Sequence, residues 1–107
     1  GVPRGHGLQG LAPALLAPAV TDAATDLLTS VAMALTFVEG RAGYLRRADE
    51  AVVRLRMLLR VARDVGDLSP SGHRFAGGRL RAVGRMLGGW IRRLAERDGS
   101  AVESNGL

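Results

Sequence analysis

Between residues 44 and 65 the side chains of Leu45, Ala48, Val52, Leu55, Leu59 and Ala62 recur at alternating spacings of three and four. A strand cannot gather such a set on one face, because its side chains alternate with a period of two. A helix places all six along one heptad-like seam. Leu58 and Val65 widen that seam. The pattern predicts a helix over 44–65, on the order of 33 Å long, whose seam must be covered by other helices. Gly66 follows as the residue suited to a left-handed helix end.

The flanking segments supply partners. Val20, Ala24, Leu27, Leu28, Val31, Leu35 and Val38 predict a helix over 18–38, with Pro18 as its first residue and Asp22 and Asp26 in its opening turns. Gly40 and Gly43 mark its break. Ser69 before Pro70 is a strong helix start, Ser as N-cap and Pro in the first turn. The third helix extends to about residue 95, with Ala76, Leu80, Val83, Leu87, Ile91 and Leu94 on its apolar face. Residues 1–17 read as a Gly- and Pro-rich lead-in or short helix, limited by Pro13. Asp98, Gly99 and Ser100 end the third helix, and 98–107 reads as a flexible tail. Short loops make successive helices antiparallel. The expected fold is therefore all-α, an up-down helical bundle over residues 18–97. Three such helices can pack alone; a fourth, from the N-terminal segment or another chain, would complete the four-helix type.

Charge divides the chain more sharply than hydropathy does. Residues 1–40 carry Arg4 against Asp22, Asp26 and Glu39, a net of −2, while residues 41–97 carry fourteen arginines against five acids, a net of +9. All fifteen basic residues are arginine, the side chain that forks onto phosphate. A GC-rich genome accounts for the missing lysine but not for the segregation of charge. No cysteine is present, so there is no disulfide framework or thiolate nucleophile, which fits a reducing, cytoplasmic setting. No apolar run approaches the roughly 20 residues of a membrane span. The short run after Arg4 is broken by Pro13 and Pro18, so no signal-peptide pattern is expected.

The arginines fall in stripes. Arg56, Arg60 and Arg63 share one face of the second helix; Arg74, Arg81, Arg85 and Arg92 share one of the third, and Arg93 adds to the block. Few acids interrupt them, whereas a salt-bridged solvent face normally alternates in sign. Two readings follow, a surface for a polyanion such as RNA or DNA, and an ordinary solvated or partner-binding face. Composition alone does not separate them. Gly77, Gly84 and Gly88 form a narrow strip on the third helix, suited to close packing within the bundle or to a subunit contact, with packing the favoured role for Gly84 and Gly88. Trp90 reads as a core anchor. With only Phe37, Tyr44, Phe75 and Trp90 aromatic, base stacking is not expected as the main binding mode.

Catalysis finds little support in the residues. His6 and His73 are the only histidines, and Ser69 is better used as an N-cap than as a nucleophile. Asp49 and Glu50 are adjacent and point to different sides of a helix. No metal-ligand spacing or phosphate-cradling glycine loop appears. The chain is expected to be non-catalytic, without metal or cofactor.

Four segments occur in order: Tyr44-Leu45-Arg46-Arg47-Ala48-Asp49, Leu55-Arg56-Met57-Leu58-Leu59-Arg60-Val61-Ala62, Leu68-Ser69-Pro70, and Val83-Gly84-Arg85-Met86-Leu87-Gly88-Gly89-Trp90-Ile91. In these the chain, over about residues 20–95, resembles the accessory variability determinant proteins of diversity-generating retroelements. The wider four-helix-bundle group also includes the ribosomal-RNA intervening-sequence protein. The resemblance implies a basic four-helix bundle assembled as a barrel-shaped homopentamer. It implies binding to the element's reverse transcriptase and to RNA, in support of mutagenic complementary-DNA synthesis. Arg56 and Arg60 match the family's L-R-x-x-L-R run and Arg85 its G-R-x-L-G segment. The chain departs from the family at its start: Val2-Pro3-Arg4-Gly5-His6 corresponds to a Pro-basic-x-His stretch that follows a full first helix in the family. That helix is thus expected to be absent, or replaced by residues 8–17.

Overall fold

A computed structural model of the chain describes the backbone of residues 8–105 and the side chains of residues 14–97. These residues form three α-helices, α1 (Leu8–Thr36), α2 (Arg41–Asp64) and α3 (Pro70–Asn105). The helices are antiparallel in sequence, and α2 is central: α1 and α3 both pack against it, while their own backbones stay apart. At about 1.5 Å per residue α2 is roughly 36 Å long. The described fold extends 77 × 22 × 18 Å, because α1 and α3 are longer than α2 and overhang it.

The two turns follow from glycine. Gly40 adopts φ 76° and Gly66 φ 81°, the left-handed region in which a Cβ is strained. At the end of α2 the N–H of Asp67 donates to the carbonyl of Ala62 at 2.8 Å, and that of Gly66 donates to Arg63 at 3.1 Å. This is a Schellman closure, with Gly66 at the position expected for it. Three residues later Ser69 Oγ accepts the N–H of Gly72 at 3.0 Å, so Ser69 caps α3 as its sequence predicts. The first turn is held differently. The rings of Phe37 and Tyr44 lie 6.5 Å apart across it. Arg41 Nε donates to the carbonyl of Ala34 at 2.7 Å, satisfying one of the orphan acceptors at the end of α1.

The core is small and rich in alanine. Ala34, Leu45, Ala48, Val52 and Leu87 form its buried centre, with Leu27, Val31, Leu80, Val83, Trp90, Ile91 and Leu94 packed around it. The predicted faces of α2 and α3 hold: Leu45, Ala48, Val52, Leu55 and Ala62 are all buried on α2, joined by Ala51.

Three expectations need correction. Helix α1 begins at Leu8 rather than Pro18 and runs through Pro13 and Pro18. The surrounding Ala and Leu residues are strong helix formers, and Ala14, whose carbonyl loses its partner to the Pro18 ring, is exposed to water. Secondly, α3 continues to Asn105, past its expected end near residue 97; a single Gly99 costs only about 1 kcal/mol within a helix. Gly43 likewise sits inside α2. Thirdly, the buried face of α1 is rotated from the predicted one. Ala23, Ser30 and Ala34 are buried, whereas Leu28, Leu35 and Val38 are 66–77% exposed. Ala34 of α1 shares the buried cluster with Ala48 of α2, Ala51 of α2 is buried as well, and the distance between two helix axes is set by the side chains at their contact. Close backbone approach wins over burial of the larger leucines. The Pro-Arg-Gly-His stretch at residues 3–6 lies outside the described residues.

Candidate nucleic-acid interface

On α2 the positions of Arg56, Arg60 and Arg63 flank the buried seam on the side that faces α3. On α3 the glycine strip, and beyond it the arginine stripe, flank the apolar face on the side toward α2. The antiparallel packing of α2 on α3 therefore brings the two stripes together as opposite walls of one groove. Its part nearest the α2–α3 turn is a recess of 540 Å³ lined by Arg56, Leu59, Arg60, Arg63, His73, Gly77 and Arg81. It continues into a recess of 380 Å³ lined by Asp49, Arg56, Arg81, Gly84, Arg85, Gly88 and Arg92. Arg56 and Arg81 border both.

Six arginines thus line the groove, with Asp49 the one acidic residue among its lining. Among the described residues, ion pairs form only between Arg54 and Asp26, at 3.0 Å, and between the adjacent Arg63 and Asp64, at 3.4 Å. Arg56, Arg60, Arg81, Arg85 and Arg92 have no acidic group within ion-pair distance among those residues. Like charges held this close repel one another, and only solvent or a bound anion relieves them.

The glycines explain how the arginines lie down. A Cβ at Gly84 would stand 2.6 Å from Arg56 Nη2 and 3.8 Å from Val52. The Arg56 guanidinium crosses α3 where no side chain blocks it. At Gly77 and Gly88 a Cβ would meet only Arg81 Nη1, at 3.7 Å, and Arg92 Nη1, at 3.5 Å. The strip is a floor beneath guanidinium groups, and only at Gly84 does it pack against another helix. Gly84→Ala is accordingly expected to keep or raise the thermal midpoint, since alanine gains up to about 1 kcal/mol over glycine in a helix. The flexible end of Arg56 must move, so its guanidinium NMR signals should shift. A fall in the midpoint would mean that Arg56 is fixed more rigidly than this geometry implies.

The remaining predicted residues lie elsewhere. Arg74 is exposed and lines neither recess. Arg93 and Arg85 border a separate 380 Å³ cleft of mostly apolar lining, where Val31 of α1 faces Val83, Met86, Leu87 and Trp90 of α3. Trp90 packs on the core, and the Arg41 guanidinium lies 5.9 Å from its ring. Arg41 therefore joins α1, α2 and α3, a structural use of arginine that charge patterning does not single out. Arg79 is stacked on Phe75, at 5.2 Å. Sequence reasoning also missed Asp49, although it stands seven residues before Arg56 and so on the same face, and His73, one turn before Gly77.

Among the described residues no three His, Cys, Asp or Glu side chains cluster so as to hold a metal ion, and no helix is long and apolar enough to cross a membrane. Comparison with known protein families, with characterised proteins and with solved structures finds no match to this chain.

Proposed function

We propose that this chain is a non-catalytic accessory protein that holds RNA, and DNA of like geometry, in the groove between α2 and α3. The observation that carries the reading is the convergence of two arginine stripes, from different helices, on one groove with a single acid in it. Scattered surface arginines would not do this, and an internally salt-bridged surface would not leave them without acids. Contacts of this kind go to phosphates and carry little sequence information. No Phe, Tyr or Trp stands in the groove lining, and His73 is its one aromatic ring, which supports backbone rather than base recognition.

The resemblance to accessory variability determinant proteins extends the proposal to the partner. In that role the chain serves a diversity-generating retroelement, binding its reverse transcriptase together with RNA to support mutagenic complementary-DNA synthesis. A homo-oligomer, a pentamer by that resemblance, belongs to the same proposal. The apolar side left open between α1 and α3 supports assembly: Leu28, Leu35 and Met86 are 66–73% exposed there or beside it. A helix laid on that side would make the fold four-helical. The same exposed face favours a second reading, an oligomerisation module whose arginines meet an acidic protein.

Binding to a short unstructured RNA over a salt series separates the two. The proposal predicts that log affinity falls linearly with log salt, with a slope of about −0.7 for each phosphate engaged with a single strand. Six groove arginines set a ceiling near −4 on that basis. Light scattering in the same series reports the oligomer. A defined oligomer with no RNA affinity at physiological salt would favour the oligomerisation module.

A further inference from the structure

The end of the groove nearest the α2–α3 turn is built differently from the rest. Arg56, Arg60 and Arg63 from α2 and His73 and Arg81 from α3 surround a single 540 Å³ recess. Arg63 shares its charge with Asp64, at 3.4 Å, while the other three guanidiniums have no acid within ion-pair distance among the described residues. Arg56 and Arg63 are seven residues apart, so the whole cluster lies within roughly 11 Å along the helix. A duplex cannot enter a recess between two packed helices, whose axes stand only about 8–10 Å apart. A single strand can enter it, but each internal phosphodiester brings one negative charge and two free oxygens. Four guanidiniums, each with five N–H donors, and an imidazole offer far more than one or two diesters can use. A phosphomonoester carries about −1.5 to −2 charges on three oxygens, and a polyphosphate carries more in the same small volume.

We propose that this recess is a site for a multiply charged phosphate group, a terminal phosphate or polyphosphate, set at the end of the phosphodiester groove. The proposal rests on the reading of the groove as a polyanion surface. Asp49 supports the polarity. It lines the adjoining recess and not this one, so no carboxylate stands in the lining of the recess at the turn, while one does further along. A second dense anion would be repelled there, whereas a singly charged backbone passing Arg85 and Arg92 would not. Gly77 supplies the space: it lines the recess without a side chain, and a Cβ there would approach only Arg81. The shared chemistry has two sources, the end of a nucleic acid strand or a free polyphosphate.

The test uses the full chain with three probes: inorganic tripolyphosphate, and one short RNA bearing either a 5′-triphosphate or a 5′-hydroxyl. The expected result is at least roughly tenfold tighter binding of the triphosphorylated RNA, the gain that one further charge-assisted hydrogen bond provides. Tripolyphosphate is expected to raise the melting temperature where sulfate at equal ionic strength does not. Gly77→Leu fills the recess without changing charge. It should remove both effects with the helical circular dichroism intact, and Arg60→Ala with Arg81→Ala should remove them by charge. A tripolyphosphate effect without an end preference supports the site and identifies its source as a free polyphosphate. Equal binding of the two RNAs with no tripolyphosphate effect overturns the proposal, and retained binding of both leaves the groove reading intact. Tripolyphosphate binding with no RNA binding supports this site and overturns the groove reading instead.

Discussion

Replacing Arg56, Arg60 and Arg63 together by glutamate is expected to lower RNA affinity by roughly a thousandfold, at about tenfold for each charge-assisted hydrogen bond removed. All three side chains are exposed and contribute nothing to the buried centre of the core, so helical circular dichroism should be retained. The informative control is a second triple variant with the same change in net charge. Arg47→Glu, Arg79→Glu and Arg97→Glu reverse three arginines that line neither groove recess. A diffuse attraction of a basic protein for a polyanion responds to both variants alike. A groove responds to the first alone, apart from a modest long-range effect that salt screens. Equal losses in the two variants would reduce the groove to a generic basic surface.

The second large effect is on stability. Leu45 and Val52 are the largest fully buried side chains among the described residues, and most of the other buried positions are alanines. Leu45→Ala leaves a cavity among Ala34, Ala48, Val52 and Leu87, and should cost about 2–5 kcal/mol. That is a large share of the roughly 5–15 kcal/mol by which a domain is stable. At about 4–8 °C per kcal/mol for a small domain, the melting temperature should fall by roughly 10 °C or more. Leu28 is 70% exposed, and Leu28→Ala should change the stability of an isolated chain by no more than about 0.5 kcal/mol. Thermal denaturation at two protein concentrations makes the comparison useful. If Leu28→Ala lowers the midpoint only where the chain associates, the α1 face is an assembly surface.

The sequence made the helices and two of the three faces legible for one reason. On α2 and α3 the apolar residues that recur at helical spacing are the ones the fold covers, while Met57, Phe75 and Met86, off that spacing, stay exposed, so the spacing reports the core. The cap at Ser69 and the left-handed Gly66 were equally readable, since each follows from one residue's chemistry. On α1 the rule breaks. Its fully covered residues are Ala23, Ser30 and Ala34, and small residues among larger apolar ones give no periodic signal. Proline misled for a related reason: a broken backbone bond matters less where the carbonyl it orphans faces water. The arginine stripes were visible as faces of separate helices. That they meet in one groove depends on how α2 and α3 are rotated about their axes, which spacing along either helix does not contain. Asp49 and His73 entered the groove by the same rotation. Arg41 illustrates the opposite case, an arginine inside the basic block whose hydrogen bond to Ala34 and position beside Trp90 make it a strut.

Guanidinium NMR tests the central claim most directly, because each arginine Nε–H reports for itself. Titration of the full chain with a short single-stranded RNA should shift the signals of Arg56, Arg60, Arg63, Arg81, Arg85 and Arg92 together, at one stoichiometry. The signals of Arg41, Arg47, Arg54 and Arg79 should stay in place. Shifts confined to that second group, or spread evenly over every arginine, would contradict a groove between α2 and α3.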